Sequence, residues 1–410
     1  MSSLAILTVG TGTAGKSSNL AQGLVNTVDL LRPRAFWLVP SHSEASISVA
    51  DLVAEGVSED LLTAFRPWDV EAGLTYRCIE EPDDLELCRQ AVREVIRRAR
   101  RELREDEKLI INPVSGTKQM SAGATLAALD EEIGDIQFTI GDRADGVVVT
   151  GTERLKSFDA SRYFEERDLA TAEALFQAGA FWPAARILQN GGSPLTKVAR
   201  AKALCLHEWQ RLNHRAAAQH AEKFSAELAR RLESLASAPS ISLELLRDIL
   251  AGADELFRWG DSDEALARYY RGTELAAKVL LADAFGIRAL GGGADGYAWK
   301  DIEALLPGDH SLATELRTRM RNGRVYLGLD LAWRLLAALG HSAGASFVAN
   351  GRLRGLLDKR NEGFYGHGDR SASRDEVERL RTELRSLLET HYPVAAVWSA
   401  ASRPATLREP

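Results

Sequence analysis

Two segments of the chain hold side chains whose types and spacing could do chemistry. The first is Arg360-Asn361-Glu362-Gly363-Phe364-Tyr365-Gly366-His367, in which an arginine precedes a histidine by seven positions. An imidazole changes charge near neutral pH and can serve as general base or acid. A guanidinium can clamp a phosphate and stabilise the charge of a pentavalent transition state, and Asn361 could orient either group. On an unbroken helix seven positions are two turns, nearly one face. Gly363, Gly366 and Gly368 argue against a regular helix, because each costs about 1 kcal/mol relative to alanine. The glycines therefore predict a broken helix, suited either to close backbone packing or to an open groove. The other histidines have no comparable neighbours and read as surface or packing residues.

The second segment, Gly10-Thr11-Gly12-Thr13-Ala14-Gly15-Lys16-Ser17, follows an apolar run and precedes a helical pattern. It matches the phosphate-binding loop G-x-x-x-x-G-K-[ST]. Backbone N–H groups and a helix N-terminus could cradle phosphates there. A nucleoside-triphosphatase also needs a carboxylate at the end of another strand to hold Mg²⁺. The best later strand, Leu109-Ile110-Ile111, runs instead into Asn112-Pro113, and Asp142 follows a less apolar run. A phosphate-binding turn of another kind is thus favoured over a working NTPase, and both stay open. Asn112-Pro113-Val114-Ser115-Gly116-Thr117-Lys118 offers small residues, hydroxyl and amide donors and one cation, again between a strand and a helix.

The elements that must position these segments differ along the chain. Over the first 150 or so residues, strands at Leu4–Val9, Ala35–Val39, Lys108–Ile111, Ile136–Ile140 and Gly146–Thr150 alternate with helices at Ser18–Leu31, Leu85–Leu103 and Ser121–Glu132. Such alternation predicts parallel βαβ units in a doubly wound, Rossmann-like α/β domain. Ligands of such sheets bind beyond the carboxyl ends of the strands, where both loops fall. Later segments such as Ala216–Leu235, Leu243–Trp259 and Ser262–Phe285 are helical, with Asp261 or Ser262 as a cap and Gly286 as a stop. The expected organisation is an α/β domain over 1–155, a helical connector over 156–238, an all-α domain over 239–400 and a frayed tail over 401–410.

At 410 residues, two or three cores are expected. A net charge of −7 argues against a protein that coats nucleic acid through a global positive field, so any such contact should be local. No apolar run approaches the roughly 20 residues of a membrane span. The three cysteines, Cys78, Cys88 and Cys205, lack disulfide or metal-ligand spacing, which suits a reducing cytoplasm. The arginines from Arg89 to Arg104 alternate with glutamates and read as a solvated, ion-paired helix face. Arg317, Arg319, Arg321 and Arg324 have fewer acidic neighbours and are a candidate for local contact with a nucleic-acid backbone.

Thr8-Val9-Gly10-Thr11-Gly12, with Asn112 and Ser115-Gly116-Thr117-Lys118, resembles the CARF domain of CRISPR-associated proteins. Arg32 to Ser43 is similar to that family's strand and serine-containing loop. Arg360-Asn361 with His367-Gly368 resembles the arginine–histidine motif of HEPN ribonucleases, and Asp263–Leu275 the helix before it. Phe364-Tyr365-Gly366 stands where relatives carry a small aliphatic run. Together these features resemble type III CRISPR-associated CARF–HEPN ribonucleases of the Cas02710-like kind. The resemblance implies a homodimer that binds a cyclic oligoadenylate (tetra- or hexa-adenylate) through Gly10, Thr11, Gly12, Thr13, Asn112, Ser115, Gly116, Thr117 and Lys118. It implies a cytoplasmic enzyme cutting single-stranded RNA through Arg360, Asn361 and His367, with no metal or other cofactor. The products would carry 2′,3′-cyclic phosphate and 5′-hydroxyl ends. A P-loop NTPase built on Gly10–Ser17 and a non-catalytic ligand sensor are the alternatives.

Overall fold

Strand β1 (Ser3–Val9) is buried along its whole length. Its side chains alternate between two cores, as a strand covered on both faces requires. Leu4 and Ile6 pack with Trp37, Ile96 and Ala124, whereas Ala5, Leu7 and Val9 pack with Phe36, Val25 and Val49. The computed structural model describes residues 2–11, 17–144, 147–293, 296–306, 310–362, 370–391 and 403–407. Within them the chain divides into two units, Met1–Arg167 and Asp168–Pro410.

In the first unit β1 is followed by α1 (Ser17–Leu31), β2 (Ala35–Pro40), α2 (Glu44–Gly56), α3 (Leu85–Glu102), β3 (Lys108–Asn112), α4 (Lys118–Asp130) and β4 (Asp135–Ile140). A short hairpin, β5 (Arg143–Ala144) with β6 (Val147–Val148), leads to β7 (Arg154–Asp159). The sheet order is β2-β1-β3-β4-β7. The first four strands are parallel, and β7 runs antiparallel to β4. Helices α1 and α2 cover one face, α3 and α4 the other.

Two sequence expectations fail here. The strand expected over Gly146–Thr150 shrinks to the two residues of β6, and the outer position goes to β7. An edge strand is held by backbone hydrogen bonds to one neighbour, so Arg-Leu-Lys-Ser-Phe-Asp needs no apolar alternation and gave no signal. The arginines of α3 also pair mainly across helices rather than within one. Glu131, just after α4, accepts from Arg93 at 2.6 Å and Arg97 at 3.0 Å and pairs with Arg100 at 3.1 Å. Only Arg89 bridges within the helix, to Glu86.

In the second unit, α5 (Ser161–Gln177, which starts in the first unit), α6 (Phe181–Ile187), α7 (Pro194–Gln210), α8 (His214–Ala221) and α9 (Ala226–Ser237) share one core around Phe176, Phe181, Leu206 and Trp209. The single helix expected over Ala216–Leu235 is broken, because Ser225 turns back to accept from Leu228 N and starts α9. A second core, around Tyr269, Trp333, Phe347 and Leu384, is built by α10 (Leu243–Trp259), α11 (Ser262–Phe285), α12 (Trp299–Glu303), α13 (Ser311–Arg319), α14 (Leu329–Ala338), α15 (Ser342–Ala349), α16 (Gly351–Glu362) and α17 (Arg374–His391). Strands β8 (Tyr297–Ala298) and β9 (Arg324–Val325) pair beside it. Asp261 caps α11, and Gly286 ends it in the left-handed conformation, as its sequence predicts.

The tail was expected to fray, and residues 403–407 do not. Leu407 is completely buried in the α5–α9 core, and its N–H donates to Glu173 at 2.8 Å. The Arg403 guanidinium lies 4.4 Å from the Trp209 ring and is ion-paired with Glu255. The tail contributes one core side chain and one buried cation, neither visible as a local pattern.

Candidate functional site: a strand-end cavity and the α16 segment

The two loops singled out in the sequence meet beyond the carboxyl ends of β1 and β3. Gly10 N donates to Ser115 Oγ at 3.0 Å. A Cβ built on Gly10 would lie 2.5 Å from Gly116 Cα, so the two backbones approach as only glycine allows. Gly116 itself has φ of 116°, and a Cβ there would strike the Met120 sulfur. The loop after β2 is tied in by Ser46 of α2, whose hydroxyl donates to Val9 O at 2.7 Å and accepts from Ser41 N at 3.0 Å.

A cavity of about 660 Å³ opens at this junction, lined by Gly10, Thr11, Ser41, Ser115, Gly116 and Lys118, among others. Thr117 is the N-cap of α4: its hydroxyl accepts from Met120 N and donates to Pro82 O. Thr117 itself lines the cavity, and its capping hydroxyl aims the first turn of α4, with Lys118, at it. The N-terminus of α4 contributes a positive dipole end. Lys118 is exposed at this end. The loop chemistry is thus suited to a ligand carrying phosphates.

Asn112 is fully buried at the end of β3 rather than lining the cavity. Its Nδ2 donates to Thr139 Oγ1 at 3.1 Å, and Thr139 shares a hydrogen bond with Thr27. Asn112 Oδ1 has no partner. Sequence reasoning missed Thr27, Thr139 and Glu153, all of which reach the cavity wall. Glu153 Oε2 accepts from Asn26 at 3.2 Å and from Gly151 N at 2.7 Å. No local signal could have found it, because it precedes β7, whose place in the sheet is set by tertiary pairing. Gly12 and Thr13 of the expected contact set lie outside the described residues, as do Ala14, Gly15 and Lys16.

In the second unit, Arg360 and Asn361 fall in the last turn of α16, so the helix persists through the arginine. His367 lies outside the described residues. The start of α16 is fixed by Asn350, which accepts from Leu353 N at 2.9 Å and donates to Glu383 at 3.2 Å. On either side of residues 360–369, Lys359 and Arg370 converge on one carboxylate. Glu376 Oε1 is paired with Lys359 and lies 3.0 Å from Arg370 Nη2. Its Oε2 accepts from Ser373 N at 3.0 Å and Ser373 Oγ at 2.9 Å, and Ser373 Oγ in turn accepts from Glu376 N. This is a capping box at the start of α17 that also holds two cations. The Lys359 hydrogen bond, followed by that of the Ser373 backbone, pulls the Glu376 carboxyl down to about 2. Ala372 N is anchored to Asp263 at 2.7 Å, joining the same turn to the start of α11.

Residues 236–391 match the family model of the Csm6 HEPN domain, a span that includes Arg360, His367 and Glu376. No curated protein matches the chain at a significant level. Among solved structures, the chain is similar to Enterococcus italicus Csm6 bound to cyclic hexa-2′-fluoro-hexa-dAMP, with a TM-score of 0.65 at 13% identity. The match covers 96% of this chain and 95% of that one, and at this identity it speaks for the fold. The chain thus has the fold of a Csm6 protein, an α/β unit ahead of a helical region, and within that region residues 236–391 match a Csm6 HEPN domain.

Proposed function

We propose that this protein is an endoribonuclease of type III CRISPR antiviral defence, acting in the cytoplasm on single-stranded RNA and switched on by a cyclic oligoadenylate. The observation that carries the reading is the Csm6 HEPN match, because it spans the arginine–histidine segment. The strand-end cavity supports it, offering glycine-lined backbone, hydroxyls and the α4 N-terminus to a ligand rich in phosphates. The similar Enterococcus protein is described with a cyclic hexanucleotide bound. The working division is sensing by 1–155, linkage by 156–238 and cleavage by 239–400.

In the proposed reaction His367 takes the proton from a ribose 2′-hydroxyl, and the 2′-oxygen attacks the adjacent phosphorus. The bond from phosphorus to the 5′-oxygen breaks, and that oxygen leaves with a proton returned by a histidine acting as acid. The products are a 2′,3′-cyclic phosphate and a 5′-hydroxyl. Arg360 stabilises the charge on the non-bridging oxygens, and Asn361 orients the reacting groups. The attacking oxygen belongs to the substrate, so no metal is assigned a role. Two chains would form the active unit, each contributing one motif across a two-fold axis. Activation then requires the cyclic ligand to bind the competent arrangement of the dimer more tightly than the idle one.

RNA cleavage in EDTA tests this, with cyclic tetra-adenylate, cyclic hexa-adenylate or no ligand, for wild type and His367→Ala. The expected result is ligand-dependent cleavage that persists in EDTA and is lost in the variant. Intact dimers that cut RNA under none of these conditions would sink the proposal. An NTPase built on Gly10–Ser17 has less support, since the residue ending β3 is a buried asparagine bonded to Thr139 rather than a carboxylate.

A further inference from the structure

The arginine-rich stretch from the last turn of α13 to β9 forms a built surface. Between Glu315 and Asp330 the sequence carries four arginines and no acidic residue, in a chain whose net charge is −7. The structure ends α13 at Arg319 and closes residues 321–324 into a tight hairpin with a two-residue turn. Arg321 and Arg324 exchange backbone hydrogen bonds, each at 2.9 Å. The central residues Asn322 and Gly323 have φ of 50° and 72°, the left-handed pair of a tight hairpin turn.

The hairpin is anchored from below. Leu316, Val325 and Leu327 are buried in the core of α10–α17, and Trp299 N donates to Gly323 O at 2.9 Å. Residues 317–324 are all exposed above it. Tyr326 is 56% exposed and Met320 37%, two apolar surfaces beside the arginines. Arg317 pairs with Glu303 at 3.0 Å in a solvent-exposed pair that a phosphate can replace, and Arg319, itself exposed, pairs with the half-buried Glu315 at 2.9 Å. The base of the hairpin is also linked to α16. Arg334 on α14 bridges Glu315 and Asp330, and Asp330 pairs with Arg354 of α16.

We propose that the hairpin that follows α13, residues 320–326, is an RNA-docking surface, in which Arg321 and Arg324 neutralise backbone phosphates and Tyr326 stacks on an unpaired base. A single strand fits best, because its bases are free to stack on an exposed ring whereas those of a duplex are not. A rigid turn also presents its cations without the ordering cost of a flexible basic loop. The assignment rests on the RNase reading above and deepens it by adding a contact outside the Arg360–His367 segment.

The test is binding of a labelled single-stranded RNA to the full chain carrying His367→Ala, which separates binding from cleavage. Arg321→Ala with Arg324→Ala should weaken binding about tenfold. It should also flatten the slope of log affinity against log salt by roughly 1.4, at about 0.7 per phosphate contact in a single strand. Arg321→Lys with Arg324→Lys should restore most of the affinity and the slope, since lysine still supplies the charge. Tyr326→Ala should weaken binding at least about fivefold and leave the slope unchanged. In the active chain the double alanine variant should raise KM and spare kcat. If wild type binds and cleaves RNA while the double alanine variant keeps its affinity and slope, the docking surface is overturned and the RNase reading stands. If wild type neither binds nor cleaves RNA, the RNase reading falls and the docking surface with it.

Discussion

At Gly10 a hydrogen atom does what no side chain could. Its backbone touches that of Gly116, and the contact brings the β1 and β3 loops to one cavity. Gly10→Ala should force the loops apart by close to an ångström, because the obstructing atoms are backbone and cannot rotate away. The expected cost is about 1–3 kcal/mol of stability, with cyclic-oligoadenylate affinity lost. Denaturant unfolding together with ligand titration checks both, and a variant with wild-type affinity would refute the role given to this contact. Thr117 illustrates the opposite lesson. The resemblance makes Thr117 a ligand contact, and Thr117 lines the cavity with its hydroxyl already engaged by the α4 cap and by Pro82. Thr117→Ser keeps the cap and should keep binding, whereas Thr117→Ala should cost about 1 kcal/mol from the helix terminus.

Among the elements, α16 and α17 are joined around the candidate catalytic segment by the Glu376 carboxylate. Because Lys359 and Arg370 flank residues 360–369, Glu376→Gln should loosen both ends at once and reduce RNA cleavage without abolishing ligand binding. The same group makes a pH prediction. Its folded value of about 2 lies below the ordinary 4.5, so its stabilising contribution is complete above pH 4.5 and fades as pH falls toward 2. The gap in unfolding free energy between wild type and Glu376→Gln should therefore be constant near neutrality and close between those limits. A gap that stayed constant down to pH 2 would show that the ion pairs contribute nothing. The sequence analysis did not single out this capping box, although Ser373 followed three positions later by Glu376 is a local pattern. The second duty of Glu376 has no local pattern, because it depends on two cations that the chain returns from elsewhere.

For the whole molecule, the tail is the element with the longest reach. Leu407 fills the α5–α9 core, while Arg403 sits among Asp248, Glu255 and Trp209, which belong to α7 and α10. Burial pushes the Glu255 carboxyl up, with Arg403 opposing it. Burial also acts to raise Asp248, but the hydrogen bond from His214 and the charge of Arg403 bring it below its ordinary value. Removing the cation would leave two buried carboxylates short of a partner. Leu407→Ala should destabilise the second unit by about 2–3 kcal/mol. Hydrogen exchange should report faster opening in α5–α9 and no change in the sheet of the first unit. Equal protection throughout would show that the tail is only laid against the surface.

The sequence by itself determined the class of each half, because burial on both faces forces apolar runs on β1–β3 and helical periodicity carries over long stretches. It also determined the two glycine loops and the arginine–histidine spacing, since close backbone approach and phosphate chemistry restrict residue types locally. The tertiary structure alone decided which loops meet, and it added Glu153, Thr27 and Thr139 to the cavity. It set β7 antiparallel at the sheet edge, turned the arginines of α3 toward Glu131, and buried Arg403 and Leu407. Each of these depends on a partner distant in the chain, and a distant partner leaves no period or cap in the residues beside it.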